Sequence, residues 1–301
     1  MMNTYPIRFL LMFAMLFAPI SSLADVAPDP LSKGMTPTRK DSRVQMVSQE
    51  VVIHLDRKWC RVEADFVLQN RSRSAAIMET GFPTGYKDEV RDLRVWRNGK
   101  EVKTKSAVEH EIQESDKEAA VYHWTLWNMR FAPGEKVALK VSYLVKPRKN
   151  HDYLITPYRQ FLGQIEEEAA GPAAAPEVVR VIDGMTSYST GYIMVTGAEW
   201  HGPITDATVT FLHPHGAAAV RWLSPAANFT VSPSAIEYRF ANIEPDFDVE
   251  VEFSEQPLPV EIALVKQAIG ATKQSQGLVN HLHYLEVMQA CLAAGNCGQS
   301  D

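Results

Sequence analysis

The sequence predicts an all-β fold: an antiparallel β-sandwich with a helical insertion at about 156–169 and helices at the C-terminus. Three observations predict it. Apolar and polar residues alternate with a period of two over many short stretches. Turn residues such as Asn98-Gly99 and Pro133-Gly134 separate the early stretches. Helical spacing is confined to a mid-chain segment and the end of the chain.

Taken in order, residues 1–24 read as a cleaved secretory signal peptide. Arg8 precedes the apolar run from Phe9 to Ile20, and Ser22 and Ala24 supply the small residues of a cleavage site. At ~1.5 Å per residue that run spans ~18 Å, short of a ~30 Å hydrocarbon core. No later stretch reaches about 18 uninterrupted apolar residues, so no membrane span is expected after cleavage. Residues 25–43 are polar and proline-bearing and read as an extended lead-in.

The β-sandwich region is expected over 44–255, with early strands in 44–146. Val51, Ile53 and Leu55 alternate, then Cys60, Val62, Ala64, Phe66 and Leu68, then Val137 to Val145. Each set turns one face to a core and the other to water. Residues 105–119 are charged with weak helical spacing and read as a solvated helix or loop. Over 156–169, Tyr158, Phe161, Leu162, Ile165 and Ala169 line one helical face, with Thr156 placed to cap it and Pro157 in its first turn. Glu166 to Glu168 then oppose the dipole at its end, so the last turn should fray. The helix and its linker, 156–178, divide the early strands from late strands in 186–254. Those are signalled by Ala207, Val209 and Phe211, by Ile236, Tyr238 and Phe240, and by Phe247, Val249, Val251 and Phe253. Two helices are expected within 259–296.

The formal net charge is −6, and loss of Arg8 would make the mature chain one unit more acidic. Without a basic block, such a chain is unsuited to nucleic acid or to anionic membrane surfaces. There are three cysteines. Cys60 lies on the apolar side of its strand and reads as a buried thiol. Cys291 and Cys297 are placed to form a disulfide in an oxidising compartment, since Gly295 can turn the chain back after the last helix. The expected location is periplasmic or secreted.

Several phrases together carry a family likeness: FVLQNRS (66–72), Phe82-Pro83, LWNMRFAPGEKVALKVSYLVKP (126–147) and GYIMVTGAEWHGPI (191–204), with Thr196-Gly197, Trp200 and Gly202-Pro203 in order. With these, the chain resembles a family of exported bacterial proteins defined by a domain of unknown function, over roughly 31–255. The resemblance implies export and a β-rich fold and supplies no activity. Where that family pattern has a glycine pair, Gly34 is followed here by Met35, and the terminal helices lie outside the likeness.

Chemistry-bearing motifs are sparse. The sequence has no phosphate-binding glycine loop, no nucleophile elbow and no Cys-x-x-Cys, and nothing calls for a cofactor. His110-Glu111 starts a zinc-protease pattern that Glu114 breaks. His213 and His215 flank Pro214; on an extended chain both rings project to one side, where two imidazoles can meet a metal, whereas the plainer reading is a polar turn. Glu199 and His201 flank Trp200 in the same way, as a carboxylate–imidazole pair or as solvated neighbours of an anchoring ring. Trp96, Trp124, Trp127, Trp200 and Trp222 lie in or beside strands, where such rings fill cores; exposed, a ring can stack on a sugar. The expectation is an exported, non-catalytic binding or envelope structural protein whose partner is an envelope protein or glycan. The alternative is an envelope hydrolase built around Glu199, His201, His213 and His215.

Overall fold

The computed structural model describes residues 27–28, 43–85, 89–111, 120–149, 156–169, 176–272 and 275–295. The proposed signal peptide, nearly all of the lead-in and Cys297 therefore lie outside the described residues. The chain is mostly β. In order it forms β1 (Ala27–Pro28), β2 (Val44–His54), β3 (Cys60–Asn70), β4 (Ala76–Gly85), β5 (Val90–Arg97), β6 (Lys100–Glu101), β7 (Lys105–Glu111), β8 (Ala120–Phe131), β9 (Lys136–Val145) and β10 (Arg148–Lys149). Helices α1 (Pro157–Ala169) and α2 (Pro176–Gly184) follow. Then come β11 (Ser187–Tyr192), β12 (Ile204–Leu212), β13 (Val220–Ser224), β14 (Phe229–Val231), β15 (Ala235–Ile243), β16 (Val249–Ser254), α3 (Leu258–Ala271) and α4 (Gln276–Ala294).

The strands make three sheets: an eight-stranded one in the order β14-β15-β12-β2-β3-β9-β5-β6, and four-stranded ones in the orders β1-β4-β8-β7 and β10-β11-β16-β13. The large sheet joins early and late strands through β2 and β12, whose pairing is parallel, from Asp206 opposite Ser48 to Leu212 opposite His54. The expectation of purely antiparallel sheets is corrected here. Alternation reports which face of a strand is buried, not the direction of its neighbour. A parallel pair needs only a long connection, and more than half of the described chain lies between β2 and β12.

The period of two places the core. On β3, Cys60, Val62, Ala64, Phe66 and Leu68 are all buried, as are Val137, Leu139, Val141, Tyr143 and Val145 on β9. Phe82 of β4 meets Tyr143 of β9 at 4.9 Å between ring centroids, so the first small sheet shares this core. Phe253 of β16 lies 6.0 Å from the His213 ring at the end of β12, so the second small sheet shares it too. Strand β16 is buried on both faces, Glu250, Glu252 and Ser254 included, because the helices cover its far side.

Two segments depart from the sequence reading. The first part of 105–119 is strand β7, paired along β8 from Lys105 opposite Leu126 to Glu111 opposite Ala120; residues 112–119 lie outside the described residues. An edge strand needs little apolar surface, which is why its charge suggested a solvated segment. Within the expected linker, Pro176 opens helix α2, which buries Val178 and Val181. Pro fits a first helical turn, and nine residues are too few to show a full apolar stripe.

The acidic end of α1 has a use that its own dipole concealed. Glu168 Oε1 accepts from Gly277 N at 3.0 Å and its Oε2 accepts from Ser275 Oγ at 2.5 Å, so the carboxylate sits on the N-terminus of α4. Gly277 permits the approach: a Cβ there would meet Ile165 at 3.1 Å. Ser275 caps α4 by accepting from Leu278 N at 3.1 Å, and Gly295 ends it at φ 67°.

Candidate functional site

The residues singled out from sequence do not converge. Trp200 is fully buried. Val195–Glu199 form a 3₁₀ turn, so Glu199 and His201 do not share the face of an extended strand. His201 is exposed, and its backbone N donates to Val44 O at 3.0 Å, tying this turn to the start of β2. The segment is shaped to seat the Trp200 ring. His213 is buried, and its Nδ1 accepts from His215 N at 3.1 Å, closing the polar turn that was the plainer reading. Burial, then the neighbouring His215 and the Arg221 charge, push His213 down to about 4. His215 is exposed. His201 and His213 stand at opposite ends of the nine residues of β12, ~30 Å apart at strand rise, which rules out one site made of all four groups. Among the described residues no three His, Cys, Asp or Glu side chains are grouped to hold a metal.

Cys60 is a free, buried thiol; its Sγ lies 3.4 Å from Asp56 O, and burial pushes it up to about 12. Cys291 is disulfide-bonded, and the Cys297 end of the expected pair lies outside the described residues.

A trough of about 470 Å³ crosses the outer face of the large sheet. Strand register builds it. Glu50 of β2 stands opposite Asp65 of β3, Asp65 opposite Lys140 of β9, and Lys140 opposite Trp96 of β5, forming one raised row. The adjacent row is short: Ser48 opposite Val67, and Val67 opposite Ala138. The hollow lies where tall side chains border small ones. From β2 to β5 it crosses three strand spacings, ~14 Å. Its far end is set by the Asn98-Gly99 turn, with φ of 48° and 77°, as a two-residue hairpin loop requires. Asn98 locks that turn to β9, its N donating to Ala138 O at 2.7 Å and its Oδ1 accepting from Ala138 N at 2.9 Å.

Both signs of charge meet in the trough. Lys140 Nζ lies 3.0 Å from Glu63 Oε2 and 3.7 Å from Asp65 Oδ2. The hydrogen bond from Lys140 holds Glu63 below the usual carboxylate range, and the reciprocal bond raises Lys140. Glu50 is exposed and makes no ion pair among the described residues. Trp96 is half-buried and lines the trough. A second hollow of about 180 Å³, bordered by Ala217, Val231, Leu258 and Leu292, has no charged group in its lining.

A second cluster lies under the helices. Glu261 of α3 accepts at Oε2 from Arg221 Nε (2.8 Å) and Nη2 (2.7 Å). At Oε1 it accepts from Tyr158 OH (3.0 Å) and from His281 Nε2 (2.9 Å). Arg221 also donates to the carbonyls of Ala218 (3.1 Å), Val220 (3.2 Å) and Gln256, and Tyr284 OH donates to Arg221 O at 2.5 Å. Burial favours protonation of Glu261, but the Arg221 charge and the bonds from His281 and Tyr158 prevail and hold its carboxyl below the usual range. Arg221, His281 and Tyr158 are 0% exposed and Glu261 is 2%. A substrate could reach them only by parting α3 and α4 from the sheet, so the cluster is a staple for the helices.

Sequence reading missed the trough because its members sit at outward positions that alternation marks only as solvated. It missed the staple because its members come from α1, β13, α3 and α4, which only the folded chain brings together. A lone Glu in the first turn of an apolar helix was the available signal for Glu261.

No family model matches the chain, and no curated protein matches it in sequence. Among solved structures, the chain is similar to a candidate nutrient-binding protein from Legionella pneumophila at 11% identity and a TM-score of 0.53, over 91% of this chain and 98% of that one. That likeness is one of fold. It also aligns with an M1 zinc metallopeptidase from Deinococcus radiodurans at 14% identity and a TM-score of 0.31, over 75% of this chain and 42% of that one.

Proposed function

We propose that the chain is an exported, non-catalytic binding protein, its sheets layered as a sandwich, with its ligand seat in the trough on the outer face of the large sheet. The observation that carries this reading is the trough itself: a hollow large enough for a small molecule, with Trp96, Glu50, Asp65 and Lys140 raised along one side. Those groups suit recognition. A binding function for the Legionella neighbour of the same fold is consistent with it. A hydrolase is less favoured, because the histidines and carboxylate that suggested one lie at opposite ends of β12. Export is supported by the three-part N-terminus.

Isotope-labelled protein covering residues 25–301, titrated with fractions of spent growth medium, tests the seat. Amide and indole shifts should concentrate at Ser48, Glu50, Asp65, Trp96 and Lys140. Shifts confined to another surface would overturn the assignment. N-terminal sequencing of the mature protein should begin at Asp25, and a sequence beginning at Met1 would overturn export.

A further inference from the structure

We propose that the trough binds an uncharged, hydroxyl-rich oligosaccharide laid across the strands, an inference that rests on the trough being the ligand seat. The argument is one of charge and shape. Lys140 Nζ, 3.7 Å from Asp65, places a fixed positive charge among the carboxylates, so an incoming cation would meet it as well as Glu50. An incoming anion would meet Glu50 and Asp65, which face each other in register. Lys140 is held by Glu63 at 3.0 Å and lies 3.7 Å from Asp65, so the acid end of a zwitterion would have to compete with two carboxylates for it. A ligand with no net charge that both donates and accepts avoids all three conflicts. Ionised carboxylates only accept, whereas an ammonium and an indole N–H only donate and a serine hydroxyl does both. Sugar hydroxyls match that mixture: they can donate to Glu50 and Asp65 and accept from Ser48, Lys140 and the Trp96 indole N–H.

Shape points the same way. The floor of Ser48, Val67 and Ala138 is built of small or short side chains and is partly apolar, and Trp96 lines one end. A pyranose has an apolar C–H face for that ring and polar edges for the raised row. The trough is open at its mouth and ~14 Å long, longer than one sugar ring. A short chain therefore fits it better than a monosaccharide, and it can continue beyond either end.

Isothermal titration with chitotriose, cellotriose and maltotriose tests this, with trilysine and dialanine as charged and zwitterionic comparators. At least one trisaccharide should bind, more tightly than its monosaccharide, with an affinity unchanged between low and high sodium chloride. Trp96→Ala should weaken it about tenfold or more by loss of stacking. Glu50→Gln should weaken it less, and both variants should remain folded. Binding of trilysine with a steep salt dependence, or of dialanine, would overturn the saccharide assignment while leaving the trough as the seat. Saccharide binding indifferent to both substitutions would overturn the trough as the seat. Failure of every trisaccharide to bind, with medium fractions still shifting Trp96, would overturn the saccharide assignment alone.

Discussion

The trough and the helical staple use the same residue types, a carboxylate, a cation and an aromatic ring, in opposite settings. In the staple, Glu261 has four donors around its two oxygens and is 2% exposed. In the trough, Glu50 is exposed, without an ion pair among the described residues, and faces another carboxylate. Low-dielectric surroundings make a satisfied network rigid and an unsatisfied one costly. On the outer face, water satisfies what the protein leaves open, so groups there remain available to a ligand. Composition does not separate a structural cluster from a recognition site. Burial and the number of donors gathered on the carboxylate do.

Breaking the staple should give the largest effect. Glu261→Gln or Arg221→Met each leaves a buried charge without its partner, at a cost of about 3–5 kcal/mol in urea unfolding. The double variant should cost less than the sum, since the two residues touch. Because the Glu261 carboxyl is held below its unfolded value, its contribution is present above the ordinary carboxylate range and is lost as pH falls through its lowered value. A Glu261→Gln deficit that stayed constant into strong acid would contradict the ion-pair account. Trp200→Ala belongs to the same scale, about 3–5 kcal/mol, because the ring is fully buried. Its exposed neighbour should differ: His201→Ala should stay within about 0.5 kcal/mol.

Much of this division was legible in the sequence, and the rest was not, for physical reasons. Cys60 to Leu68 show their buried face directly, because a period of two is a local property. Gly295 and Asn98-Gly99 announce their left-handed backbones. Pairing is different. That Glu50 meets Asp65 depends on the register of the β2–β3 hairpin, and that Lys140 meets Trp96 on register between strands distant in sequence, neither of which alternation records. The same holds for Glu168, which reads as a poor last turn of α1 until α4 arrives to accept it. The tryptophans show both limits. Trp127 and Trp200 are core, while Trp96, Trp124 and Trp222 are half-buried, and strand position alone did not separate them.

An intermediate case sharpens the contrast. Glu250 of β16 is buried, and burial together with the Asp248 carboxylate pushes it up to about 7, with Arg148 opposing. Its folded value lies above its unfolded one. Stability linked to Glu250 is therefore complete below the ordinary carboxylate range and is lost as pH rises through about 7. Glu250→Gln should leave stability nearly unchanged at pH 4 and raise it by up to about 3 kcal/mol at pH 8. Melting curves at the two pH values check this, and a loss at pH 8 would mean that Glu250 has a cationic partner strong enough to favour its charged form.

A small effect, of opposite sign to that of the staple, is expected where function is assigned. Glu50 and Asp65 stand directly opposite on adjacent antiparallel strands, an arrangement that costs stability when both are charged. Lys140 relieves Asp65 at 3.7 Å but leaves Glu50 outside the pair. Glu50→Gln should therefore keep the stability of the parent or raise it by about 0.2–1 kcal/mol near neutral pH. The gain should shrink in high salt, which screens exposed charges. A residue whose removal stabilises the fold while weakening ligand binding is retained for recognition and not for packing. Chemical unfolding of Glu50→Gln at two salt concentrations decides the matter: a loss of more than about 1 kcal/mol would place Glu50 with Glu261, as a structural carboxylate.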